Sequence, residues 1–319
     1  MVNACKPKNE ASNIVFEEEI LNIEDLGHLG HKNLSDYGFF TGFLENLVPA
    51  KNVHPYELNT PLFSDYAQKK RFIYLPEGSV IEYHPTEVFD FPVGTVLIKN
   101  FYYDDVQLIN QKGLIIETRL LIKKASEWLA LPYIWNSEQT DAILEITGGV
   151  QEISLLGKKP IYYQIPNMGQ CKGCHQRNGT LQPIGPTARQ LSRNHIDDRA
   201  DSINQLRRLS RLGLLNVSEK EVFPKLSVWN DPKTGSLDER ARAYLEMNCA
   251  HCHRKEGPAK NSGLYLMSSS KSRHALGIMK APVAAGSGSG QLAYDIVPGQ
   301  PEASILLYRM NSTEPAVMM

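Results

Sequence analysis

Four of the five cysteines in this 319-residue chain fall into two pairs of the same spacing, each followed at once by a histidine: Cys171-Lys172-Gly173-Cys174-His175 and Cys249-Ala250-His251-Cys252-His253. On a helical turn, residues at i and i+3 share a face. Both thiols of a pair can then reach the two vinyl groups of one haem and close thioether bonds. The histidine at i+4 lies on that face too and offers its imidazole to the iron. The pattern predicts two covalent c-type haems, with Cys171, Cys174, Cys249 and Cys252 as the thioether positions and His175 and His253 as the proximal iron ligands. One such five-residue pattern can arise by chance; two that use four of five cysteines are harder to dismiss.

Other uses of the cysteines fit less well. A four-cysteine zinc site would have to join pairs 78 positions apart, against ~15–20 residues in the common zinc pattern, and it gives the two histidines no role. A thioredoxin-like redox pair needs a βαβ context that neither motif has. The carbonyls near Gly257-Pro258, Pro183 and Gly185-Pro186 are candidates to hold the ring N–H of the two iron-binding histidines.

The sixth ligand of each iron decides between electron transfer and catalysis. A thioether raises the potential relative to a second histidine, whereas an open position admits substrates. Met310, Met318 and Met319 are the candidates at the second haem. At the first, His195 is the nearest imidazole after the motif and Met168 the nearest thioether before it.

The elements that must hold these residues divide the chain into four. Residues 1–34 are polar and broken by Gly27 and Gly30, which suits a tether. Within it, His28 and His31 read as loop residues for want of a third ligand. Cys5, in Val2-Asn3-Ala4-Cys5-Lys6, resembles the end of a bacterial lipoprotein signal whose apolar part would lie upstream, and is expected to carry a lipid anchor. From 35 to 165, β-branched and aromatic runs such as Arg71–Leu75, Thr95–Tyr103, Leu114–Ile122 and Trp128–Trp135 alternate with turn residues, predicting a β-sandwich-like domain. Residues 166–230 form a first, irregular haem segment. Here Ile203, Leu206, Leu209 and Leu214 predict a helix capped by Asp201 or Ser202 and ending near Gly213. In the second haem segment, 231–319, Ser236 and Glu239 make a capping box ahead of a stripe of Leu237, Ala241, Tyr244 and Leu245 running into Cys249. The fold class expected is α+β multidomain, a β-sandwich-like N-terminal domain followed by mainly α cytochrome c-like haem domains.

Two resemblances sharpen this. Residues 236–319, with Tyr244 to His253 and Val297-Pro298-Gly299-Gln300-Pro301-Glu302-Ala303-Ser304-Ile305-Leu306-Leu307, look like a cytochrome c domain. Such domains bind iron through a methionine that precedes a proline. That implies Met319, then Met318, as the distal ligand of the second haem, in a segment that stops short of the closing helix. Across residues 35–319 the chain resembles an uncharacterised bacterial two-haem c-type cytochrome family, through Leu58-Asn59-Thr60-Pro61-Leu62-Phe63-Ser64-Asp65-Tyr66-Ala67, Phe91 to Lys99 and Gln170 to His175. That resemblance implies an exported protein, periplasmic or held at the outer membrane or cell surface as a lipoprotein, and supplies no sixth ligand for the first haem.

The leading expectation is an electron carrier working with redox partner proteins of the cell envelope. The rival is a two-haem enzyme, peroxidase- or oxidase-like, with an open position on the first haem. A third reading makes the β-rich region a binding module, with Trp128, Tyr133 and Trp135 as its surface and the haems as an electron outlet. A net charge of -1 gives no reason to expect nucleic acid as a partner. No apolar run approaches the roughly 18–20 residues a membrane-spanning helix needs.

Overall fold

The structure, a computed structural model, describes residues 29–109, 112–196, 202–283 and 286–319. Long runs of β-branched and aromatic residues pair as one antiparallel meander of six strands: β1 (Val53–Tyr56), β2 (Gln68–Tyr74), β3 (Val96–Tyr103), β4 (Leu114–Lys123), β5 (Trp128–Trp135) and β6 (Ala142–Leu144). Each strand pairs with the next, and a bulge between Phe101 and Tyr102 shifts the register of β3 against β4. A hairpin of β7 (Gly149–Ile153) and β8 (Ile161–Ile165) follows.

Side chains alternate between the two faces of a strand, so the meander has two distinct surfaces. On one, Phe72, Ile98, Leu120, Leu131, Tyr133 and Trp135 pack against Leu34, Phe39 and Leu47 from the segment before β1. Leu34 is 1% exposed and its N–H donates to the Ala142 carbonyl at 2.8 Å, so chain already lies in the core at that point. A buried polar chain crosses this face, with Trp135 Nε1 donating to Thr118 Oγ1 (2.9 Å), which donates to Asn100 Oδ1 (2.6 Å). Tyr133 donates to the His31 carbonyl at 2.8 Å, and Trp128 meets Phe91 edge-on. Trp128, Tyr133 and Trp135 are thus core residues at 5%, 0% and 6% exposure, and no binding surface is built on them.

The other face carries the rest of the chain. At one end Ile73, Leu97 and Trp128 pack with Leu191, Leu206, Leu209 and Met247. At the opposite end Phe101 and Tyr103 pack with Ile153, Tyr163 and Ile165 of the β7–β8 hairpin. Both motif-bearing segments therefore lean on the sheet.

This overturns the expectation of a β-sandwich-like domain followed by mainly α haem domains. The chain is mainly β, with one six-stranded sheet faced by loops, short helices and a two-stranded hairpin. Among the described residues, 166–230 hold only the helices α1 (Met168–His175), α2 (Ala188–Leu191) and α3 (Gln205–Arg211), with two-stranded ladders between them. Residues 231–319 hold α4 (Leu237–Asn248) and α5 (Ile305–Asn311), with only short 3-10 turns between. The reason is local. Gly257-Pro258, Gly263, Gly277, Pro282, Gly286, Gly288, Gly290 and Pro298-Gly299 interrupt any helix in that stretch. The apolar residues that would have paired helix with helix are spent on the sheet instead.

The helix signals that were correct are capping signals. The Ser236–Glu239 box forms, Ser236 Oγ accepting from Glu239 N (3.3 Å) and Glu239 Oε2 from Ser236 N (2.8 Å). Replacing Ser236 by alanine is expected to cost about 1 kcal/mol in a denaturation experiment. On α3 the cap is Asn204, which accepts from Leu206 N; Ser202 sits in a short strand and Asp201 lies outside the described residues.

Candidate functional site

The first motif rides on α1. Asn167 and Gln170 form a capping box that starts this helix immediately after Pro166, with bonds of 2.8 and 2.9 Å. One turn then brings Cys171, Cys174 and His175 to a common face, Cys171 buried and Cys174 exposed. The helix ends at His175, and a tight two-stranded turn (Gln176–Arg177 with Thr180–Leu181) returns Gln182 to the ring. Its carbonyl accepts from His175 Nδ1 at 2.9 Å. A carbonyl can only accept, so the proton sits on Nδ1 and Nε2 keeps a free lone pair. Burial lowers the His175 pKa to about 4, opposed by that carbonyl, so the ring is neutral as a metal requires. The acceptor belongs to the residue before Pro183, one of the places expected from sequence.

The second motif differs. Helix α4 stops at Asn248, and Cys249 to His253 form a turn in which the N–H groups of Cys252 and His253 both donate to the Cys249 carbonyl (3.1 and 2.8 Å). Gly257 tucks against this turn, where a Cβ would collide with the Cys252 carbonyl. His253 Nδ1 lies 3.0 Å from Ser262 Oγ. Ser262 donates its hydroxyl hydrogen to the Ala259 carbonyl (2.7 Å), so its oxygen accepts from the ring. This imidazole too holds its proton on Nδ1 and leaves Nε2 bare. The partner is a serine hydroxyl, not a carbonyl of Gly257-Pro258. Were a haem attached at this motif, replacing Ser262 by alanine would make the imidazole a weaker donor and raise the reduction potential of that haem alone, read by potentiometric titration.

The two motifs, 78 positions apart in sequence, meet in space. Cys174 and His175 share a small cleft of about 70 Å3, partly open to solvent, with Met247, His251, Arg254 and Met267. The four thiols of the motifs are free. Burial pushes Cys249 and Cys252 up to about 11, the reverse of the activated thiolate of a thiol–disulfide centre. Among the described residues no three His, Cys, Asp or Glu side chains gather as a metal cluster, so the four-cysteine zinc geometry is not formed.

Beside the first motif the sheet carries an unexpected row of charge. Arg71 on β2, Lys99 on β3 and Arg119 on β4 stand directly opposite one another on the face that bears α1. Lys69 and Glu117 follow in the next row, flanking Phe101. Lys99 Nζ and the Arg119 guanidinium lie 4.6 and 4.3 Å from the centre of that ring. Like charges opposite one another destabilise a sheet. Burial, then Arg71 and Arg119, push the Lys99 pKa far down, and Lys69 falls to about 8 for the same reasons. Glu117 neutralises Arg119, while Arg71 has only Glu57 at 3.9 Å and a buried Nη2 without a partner. The row acts electrostatically on His175 and, through Arg119, on Cys171. None of these three cations lines the cleft of Cys174 and His175; what fits haem here is the pair of imidazoles beside the thiols, each with a free Nε2.

Nothing known matches. No family model, curated protein or solved structure shows similarity to the chain.

The distal candidates are less well gathered. His195 pairs with Ile203 in a short ladder, and its side chain lies outside the described residues. Met318 and Met319 are 48% and 55% exposed, but the chain just before them is anchored: Val317 is buried and its carbonyl accepts from Arg309 Nε at 2.8 Å. Arg309 in turn acts on His253, which places this tail on the side of the second motif. Met310 is largely exposed and Met168 packs with the first face of the sheet. Cys5 lies outside the described residues.

Proposed function

We propose that the chain binds two c-type haems covalently, at Cys171, Cys174 and His175 and at Cys249, Cys252 and His253, and transfers electrons in the bacterial cell envelope. The observation that carries this reading is the state of the two motif histidines. Each is held by a hydrogen bond at Nδ1 alone, to Gln182 O and to Ser262 Oγ, which fixes the ring and frees Nε2 for iron. The cleft shared by Cys174, His175 and His251 favours haems close enough to exchange electrons.

Haem c would supply an iron that alternates between ferric and ferrous. The chain's own residues do the rest. Gln182 and Ser262 orient the imidazoles, and the sheet backs α1. Met319 or Met318 is proposed as the distal ligand of the second haem. Resemblance to the bacterial two-haem cytochrome family favours an exported protein with redox partners, anchored through Cys5. No helix among the described residues is long and apolar enough to cross a membrane.

Full-length protein made with the haem-attachment machinery tests the proposal. Two six-coordinate haems that cycle between oxidation states and ignore cyanide and peroxide support the carrier. A high-spin haem that binds either ligand overturns it in favour of the two-haem enzyme.

A further inference from the structure

We infer that His251, the imidazole between the two cysteines of the second motif, is the second axial ligand of the haem attached at the first. This rests on the proposed haem binding and deepens it.

Attachment needs only the outer cysteines and the histidine that follows them, so residue 251 is free to be anything. It is a histidine lining the cleft with Cys174 and His175, and its Nδ1 is buried without a hydrogen-bond partner. Leaving such a group unpaired costs about 1–3 kcal/mol, and the Met247 backbone, which acts on the ring, does not complete a hydrogen bond to Nδ1. The other donors on this wall present no such anomaly. Met247 is 4% exposed and packed with Leu206, Leu209 and Leu191, where a thioether serves as a core side chain. Met267 is partly exposed, and a thioether needs no partner. The imidazoles of His251 and His175 line the same cleft.

The arrangement joins the two haems through protein. The imidazole on the first iron would belong to the Cys249–Cys252 stretch that carries the second haem, with Ala250 between it and one thioether cysteine and the other adjoining it. Two imidazoles hold a potential below that of an imidazole with a thioether, so His251 would set the first haem as the donor to the second.

The test compares wild type with His251→Ala, His251→Met and Met267→Leu, each shown by mass to carry both haems, using electron paramagnetic resonance and near-infrared absorption. Wild type is expected to show one bis-imidazole haem. His251→Ala should turn that haem high-spin, with added imidazole restoring it. His251→Met should move its charge-transfer band to the imidazole–thioether position and raise its potential, a readout that stands if the alanine variant does not fold. Met267→Leu should leave the spectra unchanged. Unaltered low-spin spectra in the His251 variants, or a high-spin haem in Met267→Leu, overturn the inference while leaving haem binding intact. Wild type without covalent haem overturns the underlying reading instead.

Discussion

Replacing Glu117 by leucine is expected to lower the stability of the fold by about 3 kcal/mol, the low end of the ~3–5 kcal/mol range for breaking a buried ion pair. Glu117 is fully buried, and its carboxylate accepts from Arg119 Nε (2.8 Å), Arg119 Nη2 and the Tyr163 hydroxyl (2.7 Å). Burial alone would lower the Arg119 pKa, yet the charge of Glu117 and its hydrogen bonds more than reverse this. Without the carboxylate, Lys69, Arg71, Lys99 and Arg119 stand together with Glu57 and Asp65, at the margin of the cluster, as acidic neighbours. The low end of the range applies because Arg119 retains 28% side-chain exposure and some access to water. Chemical denaturation of the two proteins measures the difference, and a loss below 1 kcal/mol would mean the cluster is balanced by groups other than Glu117.

Converting Cys171 and Cys174 together to alanine is expected to remove one covalent haem and half of the visible absorbance; converting Cys249 and Cys252 should remove the other. The losses are expected to be independent, because thioether formation depends on each pair alone. Stability should respond unequally. Cys171 is buried beside Glu117 and Arg119, so its truncation also opens a gap against the sheet. Losing the second uncovers only a turn built around Gly257. The first double variant is therefore expected to unfold at the lower denaturant concentration, with haem counted by mass and stability by circular dichroism.

The strands were legible because strand propensity and turn chemistry agreed: Leu114–Lys123 and Trp128–Trp135 appear within a residue of where β-branched runs and polar turns put them. The capping box at Ser236 was legible for the same local reason. The helical haem domains were not. They were extrapolated from two short motifs and two apolar stripes, whereas Leu191, Leu206, Leu209 and Met247 find their partners on strands more than 60 positions earlier. No local pattern records such a choice. Ser262 escaped notice because ring orientation depends on loop closure over 9 residues, whereas Pro183 pointed to the carbonyl beside it that His175 meets. The charged row did leave a trace. Lys69 and Arg71, Lys99, and Glu117 and Arg119 recur at alternate positions within apolar strands, a pattern that marks one sheet face as charged.

The central claim is that four sulfurs are bonded to two porphyrins, and intact-mass measurement of the denatured, full-length protein made with haem-attachment machinery tests it most directly. The account requires the polypeptide mass plus two haems, resistant to acid–acetone extraction. A bare polypeptide, or porphyrin released by the solvent, would contradict it.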